Sequence, residues 1–165
     1  MILRFCQSRE FFSELIFWDE HTSMPFTPSH CEAVTPKGLY LGARMNGGVQ
    51  ARKPGYDADK IAVDRKTGTK RELFLMLPAT EAQDAAFYAY LTKREGSPYD
   101  WRAIIGFVYP GREHTPGAAI CSAFMVLALR APLCEWLPFA LTKPAHLINP
   151  DILLLMISSR IKVPM

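Results

Sequence analysis

The spacing of apolar positions changes several times along the chain, and each change marks an element. Residues 2–6 form a short apolar run of strand length. Residues 9–18 have the apolar density of a helix packed on a core, with Phe11, Leu15 and Trp18 on one stripe. Pro25 and Pro28 then enforce an extended lead-in to Ser29. Residues 29–34 and 39–44 flank Thr35-Pro36-Lys37-Gly38, a strong hairpin signal. Strand alternation places His30, Glu32 and Val34 on one face, and a tight loop sets Ala43 or Arg44 opposite His30. Asn46-Gly47-Gly48 makes a second turn, after which residues 49–52 return as another strand.

Residues 60–64 and 71–77 read as strands around the Lys66-Thr67-Gly68 turn. Thr80 and Gln83 have the spacing of a capping box, which predicts a helix from there to about Arg94. Its core side would use Ala82, Ala86, Ala89 and Tyr90. Glu95-Gly96-Ser97-Pro98 ends it, and residues 103–109 form a further apolar segment. Pro116 and Gly117 break the chain again before residues 118–129, a run of good helix formers that opens at or just before Cys121. Residues 151–157 predict a short closing helix. With no internal repeat or long linker, the pattern is that of one α+β domain spanning residues 1–165.

Composition keeps that picture and narrows the function classes. The chain is 49% apolar and 21% charged, the balance of an ordinary globular domain, and 165 residues bury one sizeable core. A net charge of +3 gives no argument for nucleic acid. Arg65, Lys66, Lys70 and Arg71 cluster around a predicted turn and read as a solvated loop. The four cysteines (Cys6, Cys31, Cys121 and Cys134) contain no C-x-x-C pair, so neither a metal site nor a cofactor is expected. The first residues lack the long apolar stretch of a signal peptide, and the apolar run at 152–157 is far short of a membrane span. The expectation is a cytoplasmic chain with reduced thiols.

The chemistry on offer is that of a cysteine nucleophile. A thiol in the first turn of a helix meets unpaired backbone N–H groups and the positive end of the macrodipole, both of which favour the thiolate. A free cysteine among Ala, Ile and Phe is also an ordinary small core residue. Catalysis needs an imidazole within reach of the sulfur. His21 sits in a polar turn, His146 in a Pro-Ala-His-Leu turn, and His114 in a loop close to Cys121 in sequence. His30 is the best placed, because a sheet fixes its backbone. A half-buried structural histidine is the competing reading. Cys31 points to the opposite face of its strand and is not expected to take part.

Taken together, Ser29-His30-Cys31-Glu32-Ala33-Val34, Gly38-Leu39-Tyr40-Leu41-Gly42-Ala43-Arg44, Ser97-Pro98-Tyr99-Asp100-Trp101 and Cys121-Ser122-Ala123-Phe124 resemble the circularly permuted NlpC-type papain-like family. That branch includes YiiX-like proteins and, more distantly, the lecithin:retinol acyltransferases. In it the histidine strand precedes the cysteine helix, as His30 precedes Cys121. The resemblance implies a small antiparallel sheet packed against helices, with the nucleophile at a helix N-terminus. It implies Cys121 as nucleophile, His30 as general base, and Tyr99 bordering the site, to help with the oxyanion or to hold the cysteine. The family commonly carries a third polar residue on the next strand, where this chain has Leu41, Gly42 and Ala43. Glu32, on the face of His30, is the natural substitute, its other reading being a solvated carboxylate or a partner for Arg44. The family's Cys-Ser-Glu is Cys-Ser-Ala here.

The resemblance therefore implies a cysteine hydrolase or acyl transferase acting on an amide or ester, with a cell-wall peptide or a lipid acyl group as substrate. Backbone N–H groups at the start of the helix, around Ser122, would stabilise the oxyanion. Similar small proteins occur in phages and prophages, which would allow release by lysis. The alternative is a non-catalytic prophage or virion-associated binding module that keeps the fold.

Overall fold

Apolar side chains at alternate positions give the middle strands of the sheet one face that belongs to the core. A computed structural model of the chain describes residues 1–9, 26–100, 120–137 and 144–161. Strand β1 (Ile2–Cys6) pairs antiparallel with β2 (His30–Val34) on one side and with β5 (Glu72–Met76) on the other. β3 (Tyr40–Arg44) and β4 (Gly48–Arg52) continue the sheet beyond β2, giving the order β4-β3-β2-β1-β5. Leu3, Phe5, Cys31, Ala33, Leu41, Ala43 and Val49 are all buried on the helix-facing side.

Among the described residues, three helices lie on that side. Helix α1 (Glu81–Lys93) starts at Thr80, whose hydroxyl accepts from the Gln83 N–H while the Gln83 side chain accepts from the Thr80 N–H. The predicted capping box is therefore present. Its buried residues are Phe87 and Leu91, however, with Ala82 and Ala89 exposed. The larger side chains at i and i+4 carry more apolar area to bury than the alanines do, and they set the helix rotation.

Helix α2 (Cys121–Leu129) packs on β2 and β3 and also touches α1, the short 3₁₀ turn Ala145–Leu147 and α3 (Pro150–Ser158). It lies between the sheet and the other helical elements, so its sequence is apolar all round; Leu127 alone among its residues is exposed. Helix α3 is capped by Asn149, whose side-chain oxygen accepts from the Ile152 N–H 2.7 Å away. No helix among the described residues is long and apolar enough to cross a membrane.

Residues 60–64 do not form the expected strand. They contribute only isolated bridges, Ser8 to Ile61 and Val63 to Lys70. The Asp64 carboxylate accepts from the N–H groups of Lys66 and Thr67, and the Gly68 N–H donates to the Asp64 carbonyl. The backbone groups of 60–64 are divided between two neighbours: Lys60 and Ala62 bond residues 9 and 7, while Ala62 and Asp64 bond residues 71 and 69, so neither pairing extends beyond one bridge. The helix expected over 9–18, the segment 103–109, His21 and His114 lie outside the described residues.

The second face of the sheet is buried over its middle strands, whereas Phe74 and Met76 on β5 stay exposed. Arg4, Glu32 and Arg44 project from it and are at most 7% exposed, because the turn-rich segment 53–60 lies over them and supplies Tyr56 and the buried Asp57.

Candidate active site

Cys121 is the first residue of α2, and Ile120 before it has no side chain able to cap a helix. The Phe124 N–H is the first to bond within the helix, to the Ile120 carbonyl at 2.9 Å. The N–H groups of Cys121, Ser122 and Ala123 therefore remain outside the helical ladder, beside the sulfur. The thiol takes the Cys31 thiol and the His30 ring as side-chain partners, and the Cys31 backbone N–H is a further donor to it. The Cys31 hydrogen bond is the largest influence on Cys121. It and the His30 interactions outweigh the opposing effect of burial and hold Cys121 well below the usual thiol range.

His30 opens β2, with Cys6 directly across on β1. The β2–β3 ladder pairs Ala33 with Leu41 and Val34 with Tyr40; the same offset puts Gly42 opposite Glu32 and Arg44 opposite His30. His30 Nε2 lies 3.4 Å from Glu32 Oε2, two residues along the strand on the same face. Burial and the Arg44 charge oppose protonation of the ring. The Cys121 thiol and the Glu32 carboxylate win, and the His30 pKa is raised.

Gly42 explains how a carboxylate fits there. A Cβ at this position would lie 2.6 Å from Glu32 Cβ and 3.4 Å from Glu32 Oε2. The strand after the histidine strand has given up its side chain, and Glu32 occupies the room. Gly42 is thus a close-approach glycine.

Glu32 is fixed from three sides. One oxygen pairs with the Arg4 guanidinium; the other accepts from the Tyr56 hydroxyl at 3.0 Å and faces His30. Burial would push its carboxyl up, but His30, Arg4 and Arg44 together bring it down to about 2. Arg4 is itself saturated, donating to both Asp57 oxygens at 3.1 Å and to Glu72 at 3.0 Å, with its guanidinium 4.5 Å from the Tyr40 ring centre. Arg44 pairs with Asp57 and lies 4.8 Å from the centre of the Tyr56 ring. Two guanidiniums therefore face three carboxylates, and the pairing keeps Glu32 charged beside His30. A cavity of about 140 Å³ opens on the outer side of Tyr56, lined by Arg44, Met45, Asn46, Arg52 and Lys60.

The structure brings Cys121, His30 and Glu32 into one chain of contacts. The solvated reading of Glu32 does not hold, since the residue is fully buried, and its cation is Arg4 rather than Arg44. Tyr99 is half-buried and packs against the core cluster that contains Cys121. Ser122 is buried, with no hydrogen-bond partner for its hydroxyl among the described residues, and its place in the first turn of α2 puts a backbone N–H outside the helical ladder. Sequence reasoning missed Cys31, which does reach Cys121 from the helix-facing side of β2, and it missed Arg4, Tyr56 and Asp57. Arg4 carried a signal: an arginine at the centre of Ile-Leu-Arg-Phe-Cys has to be paired once the strand is buried on both faces. No family model matches the chain, and no curated protein matches it.

Proposed function

We propose that the chain is a cysteine hydrolase or acyl transferase of the permuted NlpC-type papain-like kind, acting on an amide or ester. The observation that carries this reading is the contact of the Cys121 sulfur, at an uncapped helix start, with a histidine whose other partner is a buried carboxylate. A merely structural core cysteine needs neither the histidine nor the acid, and burying both beside it is costly unless the charged forms are wanted.

In this mechanism Cys121 thiolate attacks the substrate carbonyl carbon and a tetrahedral adduct forms. Its oxyanion is met by first-turn N–H groups at Cys121 and Ser122. His30 Nε2 is committed to Glu32, so Nδ1 exchanges the proton, donating it to the leaving amine or alcohol as the adduct collapses to a thioester. The neutral ring then takes a proton from water or another acceptor nucleophile, which releases the acyl group and restores the thiolate. Glu32 holds the ring's orientation and stabilises its charged form, the role the family gives to a residue on the next strand. Substrate classes consistent with this reading are a cell-wall peptide amide and a lipid acyl ester.

The test is to trap the acyl-enzyme. Incubation with activated acyl esters and quenching in acid should leave the acyl group on the peptide carrying Cys121, detected by mass spectrometry. It should be absent from Cys121→Ala and reduced at least tenfold in His30→Ala. Acylation elsewhere, or equal acylation of His30→Ala, contradicts the proposal.

A further inference from the structure

The mechanism leaves one neighbour of the nucleophile without a task. Cys31 is fully buried on the helix-facing side of β2, in the same core cluster as Cys121, and α2, which opens at Cys121, packs on β2 with the two thiols as side-chain partners. All four cysteines are free, and Cys31 has no part in proton transfer between Cys121 and His30. We propose that Cys31 is a resolving thiol, and that Cys31 and Cys121 form a reversible disulfide which switches the site off when a hydroperoxide reaches it.

The chemistry balances with a hydroperoxide as the only added reactant. The Cys121 thiolate attacks the distal peroxide oxygen, the O–O bond breaks, and the departing alkoxide or hydroxide takes a proton from His30 or water. Cys121 is oxidised to a sulfenic acid and the peroxide is reduced. The Cys31 sulfur then attacks the Cys121 sulfur. The S–O bond breaks, an S–S bond forms, and the hydroxide leaves as water with the proton of the Cys31 thiol. A dithiol reverses the modification by exchange.

The two cysteines are differentiated as this sequence of steps requires. Cys121 stands among donors that favour its thiolate, whereas burial and the neighbouring negative charges keep Cys31 protonated until the leaving hydroxide takes its proton. Cys6 projects from the other face of the sheet, paired across from His30, and Cys134 lies beyond the end of α2. Neither is expected to compete for the sulfenic acid. The inference draws on the proposed function only for the reactivity of Cys121, and the switch needs no substrate to be observed.

The experiment uses the full reduced chain, treated with hydrogen peroxide at neutral pH, blocked with N-ethylmaleimide, digested without reductant and analysed by mass spectrometry. A peptide linking Cys31 to Cys121 should account for most of the Cys121, with Cys6 and Cys134 blocked as free thiols. Dithiothreitol should return Cys121 alkylation to within twofold of the untreated rate. In Cys31→Ser, and in Cys31→Ala as a second variant, Cys121 should instead proceed to the sulfinic acid. Rapid alkylation of Cys121 with no Cys31–Cys121 link overturns the switch and leaves the catalytic reading standing. The link forming on a Cys121 that traps no acyl group overturns the catalytic reading and leaves the switch. A disulfide between any other pair overturns the assignment of Cys31.

Discussion

Replacing Glu32 with glutamine keeps the side chain's volume and removes the charge that faces Arg4 and His30. The size of the effect follows from how strongly the fold favours the carboxylate. Its pKa falls from an ordinary 4.5 to about 2. At about 1.4 kcal/mol per tenfold change in proton affinity, that difference is worth about 3 kcal/mol of folding stability at pH 7. The group is fully buried, so solvent screening takes little away. A carboxylate lowered on folding stabilises above its unfolded value, and the contribution is lost as pH falls from about 4.5 through about 2. At pH 3 about 1 kcal/mol remains. Urea denaturation of the wild type and Glu32→Gln, followed by tryptophan fluorescence, should therefore show a gap of about 3 kcal/mol at pH 7 that shrinks to about 1 kcal/mol at pH 3. A gap independent of pH, or one below about 1 kcal/mol at pH 7, would mean that the fold does not favour the Glu32 carboxylate.

Three further outcomes follow from the geometry. Gly42→Ala drives a Cβ against the Glu32 side chain and should cost about 1–3 kcal/mol in urea denaturation, while slowing Cys121 alkylation. Thr80→Ala removes the α1 cap and should cost about 1 kcal/mol with no change in Cys121 reactivity, which separates general stability from the site. Tyr56→Phe deletes a donor to the buried Glu32 oxygen and should cost about 1–3 kcal/mol, a loss that Glu32→Gln/Tyr56→Phe should not add in full.

Local chemistry was the legible part of the fold. The hairpin over β2 and β3, the turn into β4, the Thr80–Gln83 box and the helix opening at Cys121 all depend on neighbours within a few residues, and the structure has each of them. The strand expected at 60–64 is absent because its backbone groups are shared between residues 7–9 and 69–71, a division of partners that propensity alone does not decide. At the site, the His30–Glu32 pair was legible because strand alternation fixes it. What was hidden came from chain segments distant in sequence. Alternation marks a polar face without saying whether water or protein covers it, so the burial of Arg4, Glu32 and Arg44 under Tyr56 and Asp57 could not be read from period two. Cys31 was dismissed for pointing away from His30, yet a helix start placed at the end of the sheet is reached from both faces of β2.

The rate of Cys121 alkylation by iodoacetamide as a function of pH reads the Cys121–His30 couple itself. The wild-type profile should rise well below the titration of an ordinary thiol near 8.5, and it should shift toward that value in His30→Ala. A wild-type profile that rises only above about pH 8.5, unchanged by removing the imidazole, would contradict that coupling.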